Sequence, residues 1–260
     1  MNHKRPLILV TNDDGYDAPG IKHLTDIAQE FGDVVLVGPM KGQSGMSHAV
    51  TLHEPIRLKK VSEEDGLRIF ACSGTPADCV KIALHQLLNR KPDLIVSGIN
   101  HGSNSSVSLF YSGTVAAVVE GCMNGIQSIA FSVDDHSMDA DFSIAVKYVR
   151  TIIREALANG IPSNTCLNVN FPKAATEICK GIKVCRQTMG VWKEEFDHRI
   201  DPHGRDYYWL TGFFQNNELG EEDTDDWAVQ HNYAAIVPIK VDVTDYDALQ
   251  PLKNWNVDYE

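Results

Sequence analysis

Basic residues are scarce in this 260-residue sequence, which has 23 Lys and Arg against 35 Asp and Glu and a formal net charge of −12. This balance argues against a long nucleic acid as a partner, because such binding depends on cationic side chains that contact phosphates. A small anionic ligand is compatible with the charge, since a bound metal or a ring of backbone N–H groups makes the potential of one pocket positive.

Long apolar runs are also missing. No stretch of about 18 uninterrupted apolar residues occurs, so the sequence predicts no membrane span. The apolar run behind the basic residues at the start, 7–10, is too short for a signal peptide. The six cysteines include no C-x-x-C pair, which favours buried free thiols over a disulfide or a zinc site. We therefore expect a cytoplasmic protein.

Familiar catalytic and nucleotide-binding motifs are absent as well. No G-x-G-x-x-G follows an apolar run, and no G-x-x-x-x-G-K-S/T occurs, so dinucleotide-binding and P-loop proteins lose their main support. Residues 42–46 read Gly-Gln-Ser-Gly-Met, and Met46 stands where a nucleophile elbow needs glycine. A serine hydrolase is therefore disfavoured.

The first two thirds of the chain alternate short apolar runs with longer amphipathic segments, a pattern typical of βαβ units. The runs that predict strands are 7–10, 34–37, 93–96, 128–132 and 166–171, and the segments that predict helices are 19–31, 76–88, 114–123 and 140–160. We therefore predict the α/β fold class, with a doubly wound and mostly parallel Rossmann-like sheet.

The last third has a different texture. Residues 181–218 lack a helical period and carry scattered aromatic residues, which predicts extended, hairpin-like structure whose aromatic side chains cover the core or meet another subunit. We interpret the acidic run 221–226 as a solvated loop rather than a ligand site. One domain is predicted over 1–260, with a Rossmann-like core at about 1–180 and a hairpin arm and C-terminal tail at about 181–260.

Polar residues follow three of the predicted strands. Asp13 and Asp14 come after the first, Ser44 after the second and Asn100 after the third. Ligands of open parallel sheets bind at these carboxyl ends, and carboxylate, hydroxyl and amide oxygens suit Mg²⁺, Mn²⁺ or Ca²⁺. Adjacent carboxylates also need a neutralising charge. The local alternative is that Asn12 or Asp13 caps a turn and Asp14 lies in an Asp-Gly turn.

A turn of small residues, Ser112-Gly113-Thr114, opens the helix predicted at 114–123. Helix N-termini present unpaired N–H groups and a partial positive charge, so they bind phosphate without basic side chains. The alternative is a plain N-cap by Ser112 or Thr114. A metal beside a phosphate-binding turn is the layout of a phosphate-ester hydrolase, in which the metal orients and acidifies a water.

Three histidines are candidates for moving a proton, although a single His is more often a hydrogen-bonded structural residue. They are His48, His101 and His231. We leave the proton donor unassigned and favour His101, because it directly follows Asn100.

Five short motifs stand in a fixed order along the first half of the chain. They are Thr-Asn-Asp-Asp-Gly at 11–15 with Ala-Pro-Gly-Ile at 18–21, Pro39 with Ser-Gly at 44–45, Gly-Thr-Pro-Ala-Asp-Cys-Val at 74–80, Ser-Gly-Ile-Asn at 97–100 with Gly102 and Asn104, and Tyr-Ser-Gly-Thr-Val at 111–115. Together they resemble the SurE family, survival-protein nucleotidases that hydrolyse nucleoside 5′- and 3′-monophosphates. The resemblance is dense over 7–132 and thinner beyond.

The resemblance implies a phosphomonoesterase that cleaves nucleoside monophosphates with water as the nucleophile and one divalent cation, Mg²⁺ or Mn²⁺, per subunit. The implied metal ligands are Asp13, Asp14, Ser44 and Asn100, and the two aspartates are also the catalytic residues. The implied phosphate-binding residues are Asn12, Asn104, Ser112, Gly113 and Thr114. A homodimer or homotetramer through the hairpin arm and the C-terminal tail is implied as well.

Two other functions stay open. One is a phosphatase of broader range that includes exopolyphosphatase activity, and the other is a nucleotide-binding protein without turnover. Residues 105–110, Ser-Ser-Val-Ser-Leu-Phe, depart from the family, whose members often carry a Gly and an Asp in this stretch. The departure bears on nucleotide preference more than on hydrolysis.

Overall fold

The computed structural model describes residues 5–137, 139–173 and 179–255. In chain order the strands are β1 (Leu7–Thr11), β2 (Asp33–Pro39), β3 (Leu58–Glu64), β4 (Leu67–Cys72), β5 (Leu94–His101), β6 (Ser128–Val133), β7 (Thr165–Phe171), β8 (Ile182–Val184), β9 (Gly190–Lys193), β10 (Phe196–Ile200), β11 (Asp206–Leu210), β12 (Phe213–Asn216) and β13 (Ala234–Lys240). The helices are α1 (Pro19–Gln29), α2 (Pro76–Ile82), α3 (Gly113–Met123), α4 (Ser143–Asn159), α5 (Asp225–Gln230) and α6 (Leu249–Lys253). A π-helical turn, Ala83–Leu87, continues α2, and a 3₁₀ turn, Ser106–Tyr111, precedes α3.

Nine of the strands in the described residues form one sheet, in the order β3-β4-β2-β1-β5-β6-β7-β13-β8. The strands from β4 to β7 in this order run parallel to their neighbours, whereas β3 is antiparallel to β4 and β13 is antiparallel to β7. The five predicted strands coincide with β1, β2, β5, β6 and β7. The predicted α/β fold class with a mostly parallel sheet is confirmed.

Helices cover both faces of this sheet. The side chains of β1 alternate between two apolar cores, so that Ile8 and Val10 pack with residues of α1 and α4, and Leu7 and Leu9 pack with residues of α2 and α3. A strand covered on both faces is apolar throughout, which explains the uninterrupted apolar run at β1. The ends of the strands and the loops that follow them are left to form a site.

The start of α2 is a capping box. Thr75 is the N-cap and its hydroxyl oxygen accepts a hydrogen bond from the Asp78 N–H, while the Asp78 carboxylate accepts one from the Thr75 N–H. The same carboxylate accepts the Thr51 hydroxyl at 2.6 Å. The capping box therefore also attaches the loop after β2 to α2.

The residues after β8 form a long two-stranded arm, 190–216, as the non-helical texture of 181–218 predicts. β9 pairs with β12 and β10 pairs with β11, both antiparallel. The two ladders are separated where Glu194 and Gly212 adopt φ of 53° and 104°. A Cβ at Gly212 would collide with the carbonyl oxygen of Lys193, so this position requires glycine.

β8 and β13 complete the central sheet on the side of β7. β13 pairs with β7 from Ala235 opposite Asn170 to Lys240 opposite Thr165. The sheet therefore continues past the boundary expected near residue 180, because the chain returns to it after the arm. The prediction of one domain over 1–260 stays a prediction.

The interpretation of 221–226 as a solvated loop is wrong for Asp225, which is buried. The first three residues of the run are exposed, but Thr224 and Asp225 are buried at the start of α5. The Asp225 carboxylate accepts hydrogen bonds from the Ser106 N–H at 2.9 Å and from the Thr188 N–H and hydroxyl at 2.9 and 2.7 Å. Asp225 is thus an anchor between distant segments, whereas residues 221–223 are exposed as predicted.

No helix within the described ranges is long and apolar enough to cross a membrane. All six cysteines are buried free thiols, as predicted. Their burial fits their behaviour as small apolar side chains.

Candidate active site

A cavity of about 460 Å³ lies where the parallel strands end. Five of the predicted site residues line it, namely Asp13, Ser44, Asn100, Asn104 and Ser112. They come from the loops after β1 and β2, from the end of β5 and the loop after it, and from the N-cap of α3. The structure therefore brings together residues to which the sequence assigns metal binding and phosphate binding. The predicted residues outside the lining are Asn12, Asp14, Gly113 and Thr114.

Asp13 is the buried centre of the site, with only 3% of its surface exposed. Thr114 donates its hydroxyl to Asp13 Oδ1 at 2.5 Å. Gly113 packs against the same side chain, and a Cβ there would lie 2.9 Å from Asp13 Cβ and 3.0 Å from Oδ2. Only glycine allows this approach, so the contact between Asp13 and the first turn of α3 depends on Gly113.

Burial raises the pKa of Asp13 from its ordinary 3.8 to about 6. The hydrogen bond from Thr114 opposes this shift, and the charge of Asp14 adds to it. Among the described residues, no cation contributes to the pKa shift of Asp13. The negative charge of Asp13 is therefore poorly compensated by the protein alone, as expected for a carboxylate that binds a metal ion.

Asp14 lies beside the cavity and contacts His101. Asp14 Oδ2 is 3.3 Å from His101 Nδ1 and 3.4 Å from the His101 backbone N. His101 lines the cavity, and its ring packs edge-on against Phe142 with 5.0 Å between centroids. His48 and His231 have their hydrogen-bond partners outside the cavity. His101 is thus the one of the three candidate histidines that the structure places at the site.

The oxygen atoms near Asp13 fit a hard divalent cation. Asn100 donates its Nδ2 to the carbonyl oxygens of the next two residues at 3.1 and 2.8 Å, which leaves Oδ1 as the atom that can face a cation. The loop that carries Ser44 is fixed to the site because Gln43 N–H donates to the Asp13 carbonyl at 2.7 Å. The described residues contain no cluster of three or more His, Cys, Asp or Glu side chains that could hold a metal. A cation would therefore need the amide and hydroxyl oxygens besides the two carboxylates.

The residues predicted to bind phosphate have different surroundings. Ser112 Oγ accepts a hydrogen bond from the Val115 N–H at 3.1 Å, so Ser112 is the N-cap of α3 and also lines the cavity. The hydroxyl of Thr114 is already donated to Asp13. Asn104 donates Nδ2 to Ser132 Oγ at 2.8 Å. Capping by Ser112 is confirmed, and phosphate binding by this turn stays a prediction.

Asn12 shapes the turn between β1 and α1. Its Nδ2 donates to the Gly15 carbonyl at 2.9 Å, and its Oδ1 accepts from the Gly15 N–H at 3.3 Å. Asn12 therefore caps a turn, as the local alternative predicts. The same turn carries the carboxylates of Asp13 and Asp14. The structure places Asn12 in this turn and not on the cavity wall.

Several lining residues were not predicted from the sequence. The arm supplies Trp192, Glu195, Leu210 and Thr211, and the loop after β6 supplies His136. Aromatic residues in 181–218 signal a surface with a binding role, but an amino-acid pattern does not say which cavity a hairpin arm reaches.

The fold and the cavity define a class of protein, namely α/β proteins that bind a small polar ligand where parallel strands end. The family model described as "Survival protein SurE" matches residues 8–194. The chain belongs to the SurE family.

Similarity to individual family members extends over nearly the whole chain. The "5'-nucleotidase SurE" of Flavobacterium psychrophilum is 50% identical over 254 residues, which cover 97% of this chain and 98% of the relative. The "5'-nucleotidase SurE" of Caldanaerobacter subterraneus is 42% identical, with 96% and 98% covered. The crystal structure of SurE protein from Aquifex aeolicus matches with a TM-score of 0.83 at 39% identity, covering 95% of this chain and 98% of that one.

Proposed function

We propose that this chain hydrolyses nucleoside 5′-monophosphates to nucleoside and phosphate with the help of a divalent cation. The observation that carries the proposal is the convergence of Asp13, Ser44 and Asn100 with the N-cap of α3 on one cavity. Relatives that are 50% and 49% identical carry the name 5'-nucleotidase SurE, which supports the substrate class. The proposal includes 3′-monophosphates, because N–H groups that bind phosphate do not distinguish which sugar oxygen carries it.

In this proposal Asp13, Asp14, Ser44 and Asn100 hold one Mg²⁺ or Mn²⁺. The poorly compensated charge of Asp13 and the available Oδ1 of Asn100 support these ligands. A cation bound there would supply positive charge to the phosphoryl oxygens and acidify a water.

The chain's own residues bind and orient the phosphate. Ser112 brings the N-terminus of α3 to the cavity, and the N–H groups of a first helical turn have no partner within their own helix. These N–H groups and the helix dipole favour an anion without a basic side chain. Ser112 still has its hydroxyl hydrogen to donate, because its oxygen accepts the capping bond. Asn104 also lines the cavity and adds a polar amide.

The test is phosphate release by the purified chain after treatment with EDTA. We expect release from AMP, GMP and CMP when Mg²⁺ or Mn²⁺ is added, and none while EDTA is in excess. Full activity in EDTA would contradict the cation. A preference for polyphosphate or p-nitrophenyl phosphate would favour the broader phosphatase, and AMP binding without release would favour a nucleotide-binding protein. Comparing the rates of phosphate release from AMP and from 3′-AMP measures the preference for the 5′- or the 3′-ester.

We also propose a homodimer or homotetramer formed through the arm and the C-terminal tail. Large apolar side chains are exposed on both, and contiguous apolar surface marks an interaction site. On the arm they are Phe196, Ile200, Tyr208 and Trp209, and on the tail they are Val243, Tyr246, Leu252 and Trp255.

Sedimentation equilibrium tests this assembly. We expect a mass of two or four times 28.8 kDa for the wild type and a shift toward 28.8 kDa for the double variant Phe196→Ser, Ile200→Ser. Val61→Ser, at an exposed apolar position on β3, is the matched control and should leave the mass unchanged. A wild type that sediments at 28.8 kDa would contradict the proposal.

A cytoplasmic location is part of the proposal. Six buried cysteines without a disulfide fit a reducing compartment.

A further inference from the structure

The arm gives the active-site cavity an apolar wall. Trp192 of β9, Leu210 of β11 and Tyr111 before α3 line the cavity, and they keep 37%, 73% and 57% of their surfaces exposed. Three large apolar residues exposed around one cavity indicate a surface that a ligand covers. The residues proposed to bind cation and phosphate do not use this wall.

Trp192 is held in place before any ligand arrives. It stands opposite Phe214 in the ladder of β9 and β12, and the two rings pack edge to face with 6.2 Å between centroids and 62° between planes. A fixed aromatic ring loses little conformational entropy when a ligand packs on it. The arm thus presents a preorganised aromatic surface to the cavity.

The cavity is larger than a phosphate group needs. Its volume of about 460 Å³ lies in the range of pockets that hold small organic molecules, about 300 to 1,000 Å³. The apolar wall is therefore available for the part of the substrate that is not phosphate.

Two polar residues of the arm also line the cavity. Glu195 and Thr211 line the cavity where the two arm ladders meet, and the Thr211 N–H donates to the Glu195 carbonyl at 2.8 Å. A carboxylate repels further phosphate groups but accepts hydrogen bonds from amino and hydroxyl groups. The wall consequently suits an uncharged aromatic group with N–H or O–H donors and does not suit a polyphosphate chain.

We propose that Trp192, Leu210 and Tyr111 bind the heterocyclic base of a nucleoside monophosphate and that Glu195 accepts a hydrogen bond from the base or the ribose. This inference rests on the proposed function and extends it from the phosphate to the other end of the same substrate. Every base has a π-face, so stacking tolerates all of them. The arm then selects nucleotides over phosphate esters that lack a base.

The test compares AMP with ribose 5-phosphate, which has the sugar and the phosphate ester but no base. Trp192→Ala is expected to lower kcat/KM for AMP about tenfold, mainly through KM, because stacking on an aromatic side chain is lost. The same variant should change kcat/KM for ribose 5-phosphate by less than about twofold. Trp192→Phe keeps an aromatic ring and should retain most of the AMP activity.

Phe213→Ala is the matched control. Phe213 is an exposed aromatic residue of β12 on the same arm, and it is not part of the cavity lining. Its loss should leave kcat/KM for AMP and for ribose 5-phosphate unchanged. If Trp192→Ala lowers kcat/KM equally for AMP and for ribose 5-phosphate, or for neither of them, the proposal is overturned.

Calorimetric binding of AMP and ribose 5-phosphate separates this inference from the proposed function. Tighter binding of AMP by the wild type but not by Trp192→Ala supports the base surface, even if no phosphate is released and the proposed function fails. Equal binding of the two ligands by the wild type overturns the base surface, even if AMP is hydrolysed.

Discussion

Replacing Asp225 by Ala is expected to lower the free energy of unfolding by about 3 to 5 kcal/mol. The Asp225 carboxylate is completely buried and accepts hydrogen bonds from the N–H groups of Ser106, Thr188 and Asp226 and from the Thr188 hydroxyl. Alanine would leave the buried N–H groups of Ser106 and Thr188 without an acceptor, and each unsatisfied donor costs about 1 to 3 kcal/mol.

Urea unfolding measures this loss, and thermal unfolding should show a midpoint about 8 to 16 °C lower for a loss of about 4 kcal/mol. Asp223→Ala is the matched control, because Asp223 belongs to the same acidic run but is exposed and pairs with Arg186 at 2.9 Å. An exposed ion pair contributes less than about 1 kcal/mol. Similar losses for the two variants would show that the Asp225 carboxylate does not anchor the fold.

The acidic run shows what a local pattern cannot predict. The run of six residues includes exposed carboxylates and one that is completely buried. The buried carboxylate accepts hydrogen bonds from Ser106, which lies 119 positions away, and from Thr188. Composition describes the average environment of a segment. Which member of the segment finds buried donors is decided by tertiary structure.

The strands that were predicted and those that were not differ in their coverage. β1 and β5 begin with uninterrupted apolar runs, 7–10 and 94–96, because helices cover both faces, so these runs stand out between amphipathic segments. β3 is a mostly exposed edge strand that carries Lys59, Lys60, Glu63 and Glu64, and its sequence has no apolar alternation. β13 contains Pro238, which ordinarily argues against a strand inside a sheet.

The candidate site divides in the same way. Asp13, Ser44 and Asn100 were predicted because loops at the carboxyl ends of neighbouring parallel strands must lie close together. Trp192 and Glu195 were not predicted, because the arm lies at the cavity through non-local packing, which includes contacts of β9 with the 3₁₀ turn before α3. Sequence patterns therefore predict the part of the cavity that the strand ends form and leave the part that the arm forms to the structure.

Asp13→Asn is expected to reduce cation-dependent phosphate release about a thousandfold or more. The amide has nearly the shape of the carboxylate and can still accept the Thr114 hydroxyl, so the local structure should persist. What is lost is the negative charge that would attract the cation. The measurement is kcat/KM for AMP with saturating Mg²⁺ or Mn²⁺, and full activity in this variant would contradict the proposed metal site.

The same substitution should make the metal-free protein more stable. The pKa of Asp13 is about 6 in the folded chain and about 3.8 when unfolded, so the folded state binds more protons between these values. The stability of the wild type in EDTA therefore falls as the pH rises from about 4 to about 6, and the loss is complete above that range. Because asparagine does not titrate, the variant should avoid this loss, which is about 1 to 3 kcal/mol in the free energy of unfolding.

Urea unfolding of both proteins in EDTA at about pH 4 and about pH 8 tests this difference. We expect the stability of Asp13→Asn relative to the wild type to be higher at about pH 8 than at about pH 4. Adding Mn²⁺ at the higher pH should then stabilise the wild type, because a ligand that binds only the folded state shifts the equilibrium toward it, and should leave the variant nearly unchanged. A variant that gains nothing in EDTA and responds to Mn²⁺ like the wild type would show that Asp13 neither carries a costly buried charge nor binds the cation.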